Sequence, residues 1–231
     1  MTGDDKRAPS RSSPAYAVRA PLVRWLREEA DRIARERRRV RVLDVGSGPK
    51  PYEPLFAPWA EAYVGVDPAG SDLVGTVEDL PVADASYDVV LCNQVLEHCA
   101  DPARAVRELR RVTAPGGRVL ASTHGVQVYH PAPDDLWRWT HTGLERLFRE
   151  NGDWSAVSVR PGSGTAACVG MIVGTFMHLL AKRLGAAAAA KPGIAAVNAA
   201  CEALDRRVPS LREPQPGTLF ANYHVVAEVA A

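Results

Sequence analysis

The sequence predicts an α/β chain: a seven-stranded, mostly parallel sheet with helices on both faces and a helical insertion before the last strand. Three observations predict it. Short apolar, β-branched runs alternate with helical stretches, the turn Gly46-Ser47-Gly48 closes the first such run, and Asp101-Pro102 opens a helix after the fourth. The 231 residues, 46% of them hydrophobic, suffice for one sizeable core and fit one domain with an insertion better than two domains.

In chain order, Met1 to Ser13 is polar and rich in Pro, Ser and Arg, without the apolar core of a signal peptide. Residues 1–14 are therefore expected as a disordered tail and 15–231 as a single domain. Tyr16 to Arg39 reads as a helix, with Val18, Leu22, Trp25, Leu26 and Ile33 three to four apart. Its end runs into a basic stretch, Arg32 to Arg41, with six arginines against one glutamate; a solvated helix face is preferred there over a nucleic-acid contact. Val40 to Val45 is the first strand, Pro51 to Trp59 a helical stretch, and Ala62 to Val66 a second strand ending at Asp67. Leu73 to Val77 is expected as the third strand and Tyr87 to Cys92 as the fourth.

Asp101 caps the next helix and Pro102 suits its first position, with Val106, Leu109 and Val112 as its apolar stripe and Pro115-Gly116-Gly117 as its stop. Arg118 to Thr123 is the fifth strand. Thr140 caps another helix with Leu144, Leu147 and Phe148 inward, and Trp154 to Val159 and Leu219 to Val229 are the last two strands. About sixty residues separate those two strands, holding an apolar helix (Ala166 to Leu184) and an amphipathic one (Ile194 to Val208) joined by the alanine run Ala186 to Ala190.

A parallel sixth strand ends on the ligand-binding edge of the sheet, so this insertion, about residues 162–218, should emerge beside the site. It is expected as a lid over an apolar or amphipathic small molecule, and as the candidate surface for a homodimer. Ala166 to Ala181 is uncharged but only sixteen residues long, short of the roughly twenty that cross a bilayer. Gly170 and Gly174 read as a close-packing G-x-x-x-G, and no stable membrane insertion is expected.

Lys plus Arg (28) nearly balance Asp plus Glu (27), so no global field favours nucleic acid as a partner. The cysteines Cys92, Cys99, Cys168 and Cys201 are scattered, with no metal-ligand spacing. They read as small buried thiols of a reduced, cytoplasmic protein without a metal site.

The ligand is read from the first strand's turn. In open α/β sheets ligands sit at the carboxyl ends of strands, where glycines let the backbone approach them. Asp67 follows Gly48 by nineteen residues, and a carboxylate there accepts hydrogen bonds from a ribose diol. Both features suit either a dinucleotide or S-adenosylmethionine. A pyrophosphate needs free backbone N–H groups and a third glycine, whereas this loop continues Pro49-Lys50-Pro51. Proline offers no N–H. The loop favours the sulfonium ligand, which carries no phosphate.

Five segments then occur in order: Val42-Leu43-Asp44-Val45-Gly46-Ser47-Gly48; Gly65-Val66-Asp67; Glu78-Asp79-Leu80-Pro81 running on to Val90; Gln94-Val95-Leu96-Glu97-His98; and Pro115-Gly116-Gly117. The series resembles the class I S-adenosylmethionine-dependent methyltransferases, with their Rossmann-like sheet, and within them the type 11 methyltransferase domain. The resemblance covers about residues 40–152. It implies S-adenosyl-L-methionine as cofactor, with Asp44, Gly46, Ser47 and Gly48 on its amino-acid part, Asp67 on the ribose, Glu78, Asp79 and Leu80 along the adenine, and Asn93 and Gln94 along the methionine portion. Many relatives carry an aspartate where Thr76 stands, which shifts the adenine contact to Glu78 or Asp79.

Methyl transfer to a hydroxyl or ammonium requires alignment and removal of a proton. His124, just past the fifth strand, and His130, in the following loop, are the catalytic candidates; His98 belongs to the Leu-Glu-His segment and is assigned a structural or cofactor-side role. Tyr129, Trp137, Arg138 and Trp139 lie in the same loop, as a pocket wall or as core. The expected acceptor is a small molecule (a natural product, sugar or lipid precursor). A nucleic-acid methyltransferase is disfavoured because Asn93-Gln94-Val95-Leu96 stands where amino-methylating enzymes carry an Asn/Asp-Pro-Pro-aromatic turn. The other rivals are a protein methyltransferase, a nicotinamide oxidoreductase, opposed by the loop prolines, and a cofactor-binding protein that transfers no methyl group.

Overall fold

The computed structural model describes residues 7–36, 39–131 and 134–231. Its strands are β1 (Val40–Val45), β2 (Ala60–Val66), β3 (Tyr87–Asn93), β4 (Thr113–His124), β5 (Ala156–Pro161) and β6 (Asn222–Glu228). They form one sheet in the order β2-β1-β3-β4-β6-β5. The four strands β2, β1, β3 and β4 are mutually parallel, and β6 runs antiparallel between β4 and β5. The doubly wound architecture is thus the expected one, with a single departure at its edge. The segment expected as the third strand, Leu73 to Val77, makes one parallel bridge, Val66 to Leu73, and no ladder. It turns away because Thr76 and Asp79 close a tight turn on each other and Pro81, packed on Gly75, has no N–H to continue a ladder.

Alternate residues of the parallel strands feed two cores, as the two-residue period of a strand requires. Val40 and Val42 of β1, with Val89 and Leu91 of β3, meet Leu22, Leu26, Ala30 and Ile33 of helix α1 (Tyr16–Glu36) and Phe56 of the short α2 (Glu53–Phe56). Leu43 and Val45, with Val90 and Cys92, meet Val106, Leu109 and Val112 of α3 (Pro102–Val112) and Leu144 and Phe148 of α4 (His141–Glu150). The predicted caps form: Asp101 Oδ1 accepts from Arg104 N at 3.0 Å, and Thr140 Oγ1 from Gly143 N at 3.1 Å. Pro115-Gly116-Gly117, expected to stop the helix, is already part of β4, with Gly117 O accepting from Val229 N. Trp154 precedes β5 and donates from Nε1 to Phe148 O at 2.9 Å. Cys92, Cys99 and Cys168 are buried free thiols and Cys201 is half-buried.

The insertion forms two helices, α5 (Thr165–Arg183) and α6 (Lys191–Arg207). The Asp205 carboxylate of α6 caps α5, accepting from Ala166 N and Ala167 N at 3.0 Å each. Cys168 and Met171 of α5 pack on Ala17 and Val18 of α1, so the hairpin stands behind α1. The described part of the segment expected as a disordered tail is held by this hairpin: Asn198 Nδ2 donates to Arg11 O at 2.7 Å and Ser13 O at 3.1 Å, and Arg11 pairs with Glu202 at 3.0 Å. Within the basic stretch, Arg32 pairs with Glu29 at 2.6 Å on the α1 surface, while Arg37 and Arg38 lie outside the described residues.

Candidate functional site

The carboxyl ends of β1, β3 and β4 converge on a cleft of about 360 Å³, within the range of small-molecule sites. Asp44, Gly46 and Ser47 line one wall; Asn93, Gln94, Glu97, His98, His124 and His130 line the other; Ala15, Val18, Arg19 and Leu22 of the N-terminal segment and α1 cover it. Seven of the predicted site residues therefore meet in one cavity. No residue of the insertion lines it. The lid expected from residues 162–218 is one layer removed, and α1 does the covering.

The glycine turn is built for close packing. Gly46 has φ +67°, and a Cβ there would come within 2.3 Å of Val95 Cγ2. Every loop N–H is already used. Gly46 N and Ser47 N donate to Val66 O at 2.8 and 3.2 Å, Gly48 N to Asp67 Oδ2 at 2.9 Å, and Lys50 N to Ser47 O at 2.9 Å; Pro49 has none. A phosphate cradle consists of unused amides aimed at the anion, and this loop offers none. Asp44 is buried beneath the turn and accepts from Tyr63 Oη at 2.6 Å; burial beside that carboxylate pushes the Tyr63 phenol far above its ordinary range.

Asp67 stands at the end of β2, outside the cleft lining, bonded to Gly48 N and to Ala69 N at 2.9 Å. Glu78 ties down the chain after the Leu-Glu-His segment, accepting from Ala100 N at 2.7 Å. Asp79 is exposed. Leu80 departs from its expected role: its side chain belongs to the core, its N donates to Glu108 Oε2 at 3.0 Å, and its O accepts from Arg111 Nη2 at 2.9 Å. It has no group left for a ligand.

The opposite wall is different. Gln94, at φ +59°, donates from Nε2 to Ser122 Oγ at 3.1 Å, and Ser122 Oγ donates to Asn93 Oδ1 at 3.0 Å. That leaves Asn93 Nδ2 buried with no partner. Glu97, fully buried, accepts from Thr123 Oγ1 at 2.8 Å and faces His124 Nε2 at 3.3 Å. His124 Nδ1 is buried and unpartnered. Burial pushes the Glu97 carboxyl up to about 7 and the His124 imidazolium down to about 3. Burial thus drives both groups towards their neutral forms. Glu97 Oε1, the atom nearest Nε2, is itself buried without a hydrogen-bond partner; a proton on Nε2 facing an ionised Glu97 leaves the lone pair on Nδ1, the tautomer of a general base. Glu97 is not a site residue by the sequence reading; its one signal there is its place beside His98 in the Leu-Glu-His segment.

His130 is exposed, 6.4 Å ring to ring from His124, and His98 bonds through Nδ1 to Asp134 O. Arg138 stitches the intervening loop, donating to Val128 O at 3.0 Å and to Asp135 Oδ2 at 2.8 Å. The pairing holds the Asp135 carboxyl well below the usual range. Trp137 and Trp139 stack at 5.7 Å, and Trp139 packs against the core. Tyr129, Trp137, Arg138 and Trp139 line no part of the cleft; Tyr129 is exposed, while Trp137, Arg138 and Trp139 fix the loop, Trp139 N donating to His124 O at 3.0 Å.

Residues 43–121 match the family model of a methyltransferase domain. Over 133 residues the chain is 32% identical to the malonyl-[acyl-carrier protein] O-methyltransferase of Erwinia billingiae, an alignment covering 52% of this chain and 53% of that protein. The chain thus spans about half the length of that relative. Among solved structures it superposes on a SAM dependent methyltransferase from Archaeoglobus fulgidus with a TM-score of 0.53 and 13% identity, over 97% of each chain. It superposes on the [4+2]-cyclase SpnF with a TM-score of 0.51 and 18% identity, over 89% of this chain and 81% of that one. At such identities the two structures speak to the fold alone.

Proposed function

We propose that residues 43–121, which match a methyltransferase-domain model, use S-adenosylmethionine in the manner of the class I methyltransferases, and that the chain methylates a small-molecule acceptor, a natural product, sugar or lipid precursor, at a hydroxyl or ammonium group. The observation that carries this is the committed glycine turn beside a wall of unpartnered polar atoms. The residues fit the cofactor. The buried Asp44 carboxylate suits its ammonium, the unused Asn93 Nδ2 its carboxylate, and the remaining lone pairs of Asp67 the ribose diol. When bound, S-adenosylmethionine supplies a methyl group on a cationic sulfur, open to in-line displacement.

This chain's own part is alignment, exclusion of water and removal of a proton. Ala15, Val18 and Leu22 present an apolar roof to the cleft, which raises the strength of every charge interaction beneath it. His124 Nδ1 accepts the acceptor's proton while the Glu97 carboxylate, 3.3 Å from Nε2, balances the imidazolium that forms. A small acceptor is favoured by the cavity's size and by its cover. The test is release of S-adenosylhomocysteine with panels of hydroxyl and amine acceptors. Turnover that is lost in His124→Ala supports the proposal. Turnover on nucleic acid or protein with none on small molecules contradicts the acceptor class.

A further inference from the structure

Helix α5 has two apolar faces, and only one of them is used. Cys168 and Met171 pack on α1, and Gly170 lies so close to α6 that a Cβ there would sit 2.8 Å from Cys201 Sγ. The other face carries Val169, Ile172, Val173, Phe176, Leu179 and Leu180, all exposed, with Phe176 at 67%. Their spacing of three and four residues sets them in one stripe along about three turns. A soluble surface rarely presents such a stripe without a use for it.

Charge indicates what covers it. From Trp154 to Cys201 the chain contains no Asp or Glu, while Lys182, Arg183 and Lys191 cluster at the turn between the helices, all exposed. A second copy is a poor occupant. A parallel α5 pair sets the two basic clusters against each other, and an antiparallel pair sets each against a helix N-terminus, the positive end of its dipole. Crossing a bilayer is equally poor, although α5 is long and apolar enough by length and composition, because its inner face is already packed against α1 and α6. An apolar stripe that ends in unopposed cations fits a surface whose interior is hydrocarbon and whose headgroups are anionic.

We propose that the outer face of α5 docks this protein on an anionic lipid surface, with the helix lying in the headgroup plane and Lys182, Arg183 and Lys191 against lipid phosphates. The full chain is sedimented with phosphatidylcholine vesicles, with and without phosphatidylglycerol. It is expected to pellet with the anionic vesicles and to stay largely in solution with the neutral ones. Phe176→Ser with Leu180→Ser should abolish pelleting, and Lys182→Glu with Arg183→Glu should reduce partition at least about tenfold. Both variants should keep the wild-type circular dichroism and melting transition, since none of the four side chains is buried. Wild-type protein that ignores anionic vesicles, or that binds both kinds equally, overturns the proposal. So does a light-scattering dimer that the Phe176→Ser, Leu180→Ser variant converts to monomer.

Discussion

The two walls of the cleft use their polar groups in opposite ways. On the β1 wall every N–H of the glycine turn is bonded within the protein, Gly48 N to Asp67. On the β3–β4 wall Asn93 Nδ2 and His124 Nδ1 are buried without a partner. Leaving a buried polar atom unpaired costs about 1–3 kcal/mol, and where such atoms line a cleft, as these two residues do, a ligand can complete the bonding. The difference teaches that the first wall is a shaped seat, rigid before any ligand arrives. The second is a chemical face.

Replacing His124 with alanine is the sharpest way to break that contrast. Loss of a general base is expected to lower kcat roughly 10²–10⁴-fold, with the affinity for S-adenosylmethionine unchanged by calorimetry. A kcat that holds across pH would make the second wall as passive as the first. Glu97→Gln comes next. A Gln amide donates to Nε2 and forces the proton onto Nδ1, so the ring stays in place as the wrong tautomer, with an expected loss of about a hundredfold or more.

The same substitution has a pH signature with a definite sign. Burial raises the Glu97 carboxyl to about 7 in the folded chain, above its value in the unfolded one. The folded state therefore holds the extra proton, and stability falls as pH climbs from the ordinary carboxylate range through about 7. In the wild type the base form grows in over the same window, so kcat/KM should rise to a plateau above about pH 7. Glu97→Gln should erase that limb, raise Tm at pH 8 and leave Tm unchanged at pH 4. A mutant with the limb intact would separate Glu97 from the titration.

On the seat, Asp67→Ala is expected to weaken S-adenosylmethionine binding about 10–100-fold, the value of a charged hydrogen bond, with little change in the pH profile. Smallest of all, Asp101→Ala removes the cap on Arg104 N and should cost about 1 kcal/mol in denaturant unfolding without touching kinetics. An effect of that mutation on turnover would mean that α3 reaches the chemistry.

The seat was far more legible than the chemical face. Val40–Val45, the glycine turn and the Asp101 and Thr140 caps are local patterns, each decided by residues within a few positions, and they form as read. The pair of Glu97 with His124 joins the loop after β3 to the end of β4, and no local periodicity announces it. Leu73 to Val77 reads as a strand because its apolar content is right, but Thr76 and Asp79 close it into a turn and Pro81 packs across Gly75. Leu80 looked like a ligand contact by its place in a motif, and burial gives it to the core. The insertion is expected as a lid from topology alone; Gly170 closes its two helices on each other, and Cys168 and Met171 carry the hairpin onto α1 instead.

The central claim is that this turn seats a nucleoside carrying no phosphate. Titration calorimetry of the full chain with S-adenosylmethionine, S-adenosylhomocysteine and NAD tests it directly. Saturable heats with the two sulfur nucleosides and none with NAD are the predicted result. Binding of NAD, or silence toward all three, would contradict it.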